Sequence, residues 1–232
     1  MKRFYITLML LLILSPLVLA KEKVTNQNLF DTTTFMEEHY VSRAAQFKKE
    51  PVETGRIIFL GDSITECGEW KKLLGNDDVI NRGISGDITF GVLKRLGDIV
   101  VRKPLKIFIL IGINDIGKDI PDEVIADNCK KIVEHIQERS PSTIIYLQSI
   151  FPVNPDFPGF PQHYDKEYHV IHTNQLLQAS AKKLNCCFIN LFPVLMDRQQ
   201  RLRKELSTDG LHLNNKGYSV WIKYLRDMEY LK

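Results

Sequence analysis

Three side chains suited to acyl transfer stand at two places in this chain. Ser63 lies in Gly61-Asp62-Ser63-Ile64, directly after the apolar run Ile57-Ile58-Phe59-Leu60. Far downstream, Asp209-Gly210-Leu211-His212 sets a carboxylate and an imidazole three residues apart. A serine hydroxyl attacks a carbonyl only when a neighbouring base takes its proton, and an imidazole serves as that base when a third group holds its tautomer. Ser63, His212 and Asp209 have the chemistry for those roles. On a turned loop, a carboxylate three residues before an imidazole can reach round to its Nδ1.

Each signal has an ordinary structural reading as well. Gly-Asp-Ser is a common turn tripeptide, Asp209 can cap a turn, and a single histidine can be a satisfied core residue. Gly83 can serve only to turn the chain, and Asn114-Asp115 only to cap a helix. What separates these readings is where the residues fall relative to the elements that carry them.

Short apolar runs at Ile57–Leu60, Val79–Asn81, Lys106–Ile111, Thr143–Gln148 and Cys186–Asn190 are rich in Ile, Val and Phe and read as buried strands. Helical spacing marks Phe35–Lys49, Glu66–Leu74, Ile88–Val100, Asp122–Arg139, Lys166–Leu184 and Asn215–Tyr230. Strand and helix alternate, which predicts an α/β fold: a five-stranded parallel sheet with right-handed crossovers and helices on both faces. Gly61-Asp62-Ser63 follows the first strand, Arg82-Gly83-Ile84-Ser85-Gly86-Asp87 the second and Gly112-Ile113-Asn114-Asp115 the third. Loops at the carboxyl edge of a parallel sheet converge, so one edge would hold one site. The longest irregular stretch, 151–162, carries Pro152, Pro155, Pro158 and Pro161.

Residues 1–20 read as a signal peptide: Lys2 and Arg3, an apolar run from Ile6 to Leu19 broken by Pro16, and small residues up to Ala20. An uncleaved anchor is the alternative. Residues 21–232 then form a single domain with an N-terminal helical extension, exported to the periplasm or the exterior. The leader carries two basic residues and no acid, so the remainder is near charge balance and has no basic face for nucleic acid. Adjacent Cys186 and Cys187 argue against a stapled framework, and Cys129 falls on an apolar helical face. Cys67 lacks a basic partner in sequence. His163, His169 and His172 are close in sequence, but no acidic or thiolate ligand at metal spacing completes a zinc site, so no metal and no cofactor are expected.

From roughly Tyr40 to Tyr224 the chain resembles the SGNH hydrolases, or GDSL esterases and lipases. The resemblance rests on Gly61-Asp62-Ser63-Ile64, Asn81-Arg82-Gly83, Gly112-Ile113-Asn114-Asp115 and Asp209-Gly210-Leu211-His212, in that order. The flanking text is similar to secreted bacterial esterases akin to platelet-activating-factor acetylhydrolase subunits and sialate O-acetylesterases. It implies a flavodoxin-like three-layer α/β/α sandwich, catalysis by Ser63, His212 and Asp209, and an oxyanion hole built from the N–H groups of Ser63 and Gly83 and the Asn114 amide. It implies a small acyl ester as substrate, with an acetyl group on a carbohydrate as the preferred expectation. A lysophospholipase or thioesterase acting on lipids and an inactive carbohydrate-binding protein are the alternatives. Acyl length, natural alcohol and oligomeric state are not legible in these residues.

Overall fold

A computed structural model describes residues 30–232; the expected signal peptide lies outside the described residues. In chain order the elements are α1 (Glu37–Lys49), β1 (Ile57–Gly61), α2 (Ser63–Glu66), α3 (Trp70–Leu74), β2 (Val79–Gly83), α4 (Thr89–Lys94), α5 (Leu96–Val100), β3 (Lys106–Leu110), α6 (Ile113–Gly117), α7 (Asp122–Arg139), β4 (Ile144–Gln148), α8 (Glu167–Lys183), β5 (Cys187–Ile189), α9 (Phe192–Leu195) and α10 (Asn215–Asp227). Single 3₁₀ turns lie at Pro161–His163 and Lys204–Leu206.

The five strands are all parallel, in the order β2-β1-β3-β4-β5. β1 and β3 are buried along their whole length, as their unbroken apolar runs require. Right-handed crossovers send the connections after β2, β3 and β4 over one face and the connection from β1 to β2 over the other. The order reverses between β1 and β3, so the loops after those strands diverge and leave a crevice at the carboxyl edge. Ser63 follows β1 and Asn114 follows β3.

Register explains one face of the core. Phe59 of β1, Phe108 of β3 and Tyr146 of β4 are lateral neighbours. Their rings therefore project to one side and stack at 4.8 and 4.6 Å. Trp70 of α3 stacks on Phe59 at 3.8 Å, and Trp221 of α10 meets Trp70 edge-on at 5.0 Å. Across the sheet α7 packs against α4, α5 and α8, burying Ile125, Cys129, Ile132 and Ile136.

Two expected helices are each divided. In the segment 66–74, Glu66 ends α2 and α3 begins only at Trp70, with Gly68 between them packed against the Trp70 ring, where a Cβ would come within 2.5 Å of a ring carbon. The segment 88–100 breaks at Arg95, whose guanidinium reaches inward to Asp87 and to the carbonyls of Arg82 and Gly61. Helix α1 is tied to the sheet edge by charge: Arg82 bridges Glu50 and Asp98, both at 2.7 Å. Among the described residues no helix is long and apolar enough to cross a membrane.

Candidate active site

Asp62 follows β1 and caps α2, accepting the Ile64 N–H on Oδ1 at 3.0 Å while its carbonyl takes the N–H groups of Thr65 and Glu66. Ser63 is thus the first residue of a one-turn helix. Its N–H has no helical acceptor, and its Oγ sits at the mouth of the crevice. The short helix is held by its carbonyls: Tyr218 donates its hydroxyl to Ile64 O at 2.7 Å and Trp70 its indole N–H to Thr65 O at 2.8 Å.

The late loop closes on itself. Ser207 Oγ donates to His212 O at 2.7 Å and accepts the Gly210 N–H at 2.8 Å. Gly210 has φ +87°, and a Cβ there would lie 2.4 Å from Asn154 O, so only glycine makes this turn. Asp209 is thereby brought round: Oδ1 accepts the N–H groups of Leu211 and His212 at 3.0 and 2.8 Å, and Oδ2 faces His212 Nδ1 at 2.8 Å. His212 Nε2 in turn lies 2.8 Å from Ser63 Oγ. Burial alone would raise the Asp209 carboxyl, but the His212 and Leu211 N–H groups and the His212 ring outweigh it and hold the carboxyl below its usual range.

Asn114 is buried on α6, which starts at Gly112 with φ +127°. Its Nδ2 donates to Asp87 O at 2.9 Å, leaving a second hydrogen for the crevice. Ser63, Asp209, His212 and Asn114 line one cleft of about 660 Å³ with Phe35, Met36, Phe160, Leu211 and Leu213 as apolar walls.

Gly83 departs from expectation. It does not line the cleft, and its N–H is committed to Asn81 Oδ1 at 2.8 Å. Glycine is required there for packing, since a Cβ would fall 2.1 Å from the Glu66 nitrogen. Three residues on, Gly86 does line the cleft, with φ +75° and its carbonyl accepting the Phe35 N–H at 2.9 Å. The signal that points to it is a glycine inside Ser85-Gly86-Asp87 beyond a strand end, where a turn at positive φ favours glycine.

Glu66 had no sequence signal of its own. Glu66 accepts the N–H and hydroxyl of Ser85, both at 2.6 Å, and faces His39 Nε2 at 2.9 Å, tying α1 to the cleft wall. Burial would raise the Glu66 carboxyl, yet Ser85 and His39 bring it below its ordinary value. Cys67 also lines the cleft, but burial, with Glu66, Asp62 and Asp209 nearby, pushes its thiol up, so it stays protonated. His163 reaches Asn114, whereas His169 and His172 both turn to Asp122, at 3.1 and 2.8 Å. The three histidines do not converge, and among the described residues no group of three acidic, thiol or imidazole side chains forms a metal cage.

Beneath the site lie three buried carboxyls. Burial pushes Asp62 and Asp115 up to about 7 and Asp87 to about 6, against opposing hydrogen bonds from Ile64, Thr89 and Arg95.

Comparison with known proteins agrees with this geometry. Residues 59–220 match the GDSL-like Lipase/Acylhydrolase family. The human platelet-activating factor acetylhydrolase IB subunit alpha1 is 26% identical over 201 residues, covering 84% of this chain and 82% of that protein. A solved structure from Streptococcus pneumoniae is 34% identical, with a TM-score of 0.73 over 83% of this chain and 92% of the other. A catalytic mutant of an acetylxylan esterase from Geobacillus stearothermophilus shares the fold at 18% identity, with a TM-score of 0.61 over 77% of this chain and 95% of the other. The match spans every strand end that lines the cleft, and the chain accordingly belongs to the GDSL-like, or SGNH, acylhydrolase family and is a carboxylic ester hydrolase.

Proposed function

We propose that this protein is an exported serine esterase that removes small acyl groups, acetyl foremost, from alcohol partners through an acyl-enzyme on Ser63. The observation that carries the reading is the pair of 2.8 Å contacts joining Ser63 Oγ to His212 Nε2 and His212 Nδ1 to Asp209. In the first step Ser63 Oγ bonds to the ester carbonyl carbon while its proton passes to His212 Nε2. The carbonyl becomes an oxyanion facing the N–H groups of Ser63 and Gly86 and the Asn114 Nδ2 hydrogen. The tetrahedral intermediate collapses, and the departing alkoxide takes the proton from His212. Water then adds to the acyl-enzyme with His212 again as base, releasing acid and free Ser63. Asp209 keeps the imidazole in the required tautomer and balances its transient charge.

Export rests on the leader-like residues 1–20. The acetyl preference draws support from the similarity to platelet-activating factor acetylhydrolase subunits, and a carbohydrate alcohol from the Phe35 and Phe160 faces beside polar His39, Gln162 and Thr208 at the cleft. A second reading, a lipid-directed hydrolase, is favoured by the apolar lining from Phe35, Met36, Leu211 and Leu213. The test is fluorophosphonate titration of Ser63 followed by kcat/KM on p-nitrophenyl acetate, butyrate and octanoate, then acetate release from acetylated xylan and O-acetyl sialic acid. Highest kcat/KM on acetate with release from a glycan supports the first reading. Preference for octanoate with activation at a lipid surface supports the second, and no labelling of Ser63 overturns both.

A further inference from the structure

His163 belongs to the Pro161–His163 turn on the proline-rich connection after β4, and it is 3% exposed. The Nε2 side of its ring lies against α6 at Gly117, where a Cβ would sit 2.7 Å from Nε2. Phe35 and Phe160 hold the ring from two other sides, with centroids at 6.0 and 6.1 Å. His163 Nε2 stands 3.3 Å from Asn114 Oδ1.

Chemistry assigns every proton in this contact. The Asp87 carbonyl can only accept, so the Asn114 atom 2.9 Å from it is the NH₂ group, and the atom facing His163 is the amide oxygen. An amide oxygen can only accept, so the His163 proton is on Nε2. Nδ1 is then an acceptor, buried with no hydrogen-bond partner among the described residues. A second proton on the ring would create a buried donor with nothing to bond. Burial, reinforced by Lys166 and His212, lowers the ring to about 4, so it is neutral near pH 7.

We infer that His163 is a positioning residue for ester hydrolysis: its Nε2–H holds the Asn114 carboxamide from the oxygen side while the Asp87 carbonyl holds it from the nitrogen side. The remaining Nδ2 hydrogen has one direction left, into the cleft. The same bond draws electron density toward Oδ1 and makes that hydrogen a better donor to developing charge. A neutral ring suits the task because a fixed tautomer neither flips the amide nor adds a charge that varies with pH. The inference rests on Asn114 acting at the oxyanion as proposed above.

The experiment is a double-mutant cycle on p-nitrophenyl acetate with His163→Leu, Asn114→Ala and the pair, plus His163→Gln, whose amide nitrogen falls near the imidazole Nε2. Fluorophosphonate titration normalises each rate to competent sites. Asn114→Ala is expected to lower kcat by roughly 10² to 10³. His163→Leu should lower kcat by about tenfold or more with KM changed less than about threefold, and His163→Gln should recover most of the loss. In the Asn114→Ala background His163→Leu should cost almost nothing more, because the two act as a unit.

A near-normal rate in Asn114→Ala overturns the oxyanion reading itself. A full loss in Asn114→Ala with the same His163→Leu penalty in both backgrounds leaves that reading intact and overturns the positioning role. Should the His163 variants fail to fold, the wild type decides by ¹⁵N NMR of labelled histidine. The ring in contact with Gly117 and Asn114 must show a proton on Nε2 that persists unchanged from about pH 5 to 8; an Nδ1–H tautomer, or titration across that range, overturns the inference.

Discussion

Asn81 Oδ1 accepts the Gly83 N–H at 2.8 Å and Gly83 stays outside the cleft, whereas Gly86, three residues further on, lines it. The two glycines should therefore fail differently. Gly86→Ala places a Cβ 3.0 Å from the Met36 nitrogen and 3.1 Å from Phe35 Cβ, inside van der Waals contact and at a positive φ, so kcat should fall roughly 10- to 100-fold with a smaller change in Tm. Gly83→Ala drives a methyl into the α2 backbone and should cost about 1–3 kcal/mol or more of stability. Thermal melts and kcat measured side by side check the assignment, and wild-type turnover in Gly86→Ala would remove the Gly86 N–H from the mechanism.

Ser63→Ala removes the attacking oxygen. The loss in kcat should be roughly 10⁴ to 10⁶ with the fold retained, since among the described residues the hydroxyl's hydrogen bond is to His212 Nε2 and not to a group that holds the fold. Retention of more than about a tenth of wild-type turnover on p-nitrophenyl acetate would assign the nucleophile elsewhere.

His212 and Asp209 differ in kind: only the ring carries a proton between substrate atoms. His212→Ala should be nearly as damaging as loss of Ser63. Asp209→Asn keeps the loop, because the carboxamide oxygen can still accept the Leu211 and His212 N–H groups, but its NH₂ then faces Nδ1 and selects the wrong tautomer, so kcat should fall by roughly 10⁴, less than for His212→Ala. Dialysis against EDTA should leave the rate unchanged; loss of activity restored by zinc would move the mechanism away from the Ser63 hydroxyl.

Asp62 gives a stability prediction with a definite sign. Burial raises its carboxyl to about 7, above the ordinary value of 3.8, and Oδ2 has no hydrogen-bond partner among the described residues. Between about pH 4 and 7 the unfolded chain releases this proton while the folded chain keeps it, so the stability this carboxyl contributes when protonated is lost as pH rises through that window. Asp62→Asn removes the titration and can still accept the Ile64 N–H. The Tm of Asp62→Asn should rise relative to wild type from pH 5 to pH 8, by the equivalent of a few kcal/mol. A difference that stays constant with pH would show that Asp62 is ionised throughout.

The elements were largely legible because their signals are local. Continuous Ile, Val and Phe runs can satisfy their burial only as central parallel strands, and the helical stripes between them can only cover the sheet, so strand count and α/β alternation follow from spacing. The loop from Asp209 to His212 was legible for the same reason, because a carboxylate, a glycine and an imidazole within four residues settle their own geometry. The division of the helices at Gly68 and Arg95 was not, since it depends on the Trp70 ring and on Asp87, which reach those positions only in the folded chain. Nor was the identity of the glycine at the cleft. Gly83 and Gly86 are alike as letters, and what separates them is where an Asn81 oxygen ends up and which sign of φ the turn imposes. His163 stands in sequence beside His169 and His172, yet it parts from them because the connection after β4 folds back over α6 at a glycine, while the other two stay on α8 and meet Asp122. Strand positions and reacting groups are matters of local pattern and side-chain chemistry and can be read from the residues; which glycine lines the cleft and which imidazole faces Asn114 emerge only on folding, because both depend on partners distant along the chain.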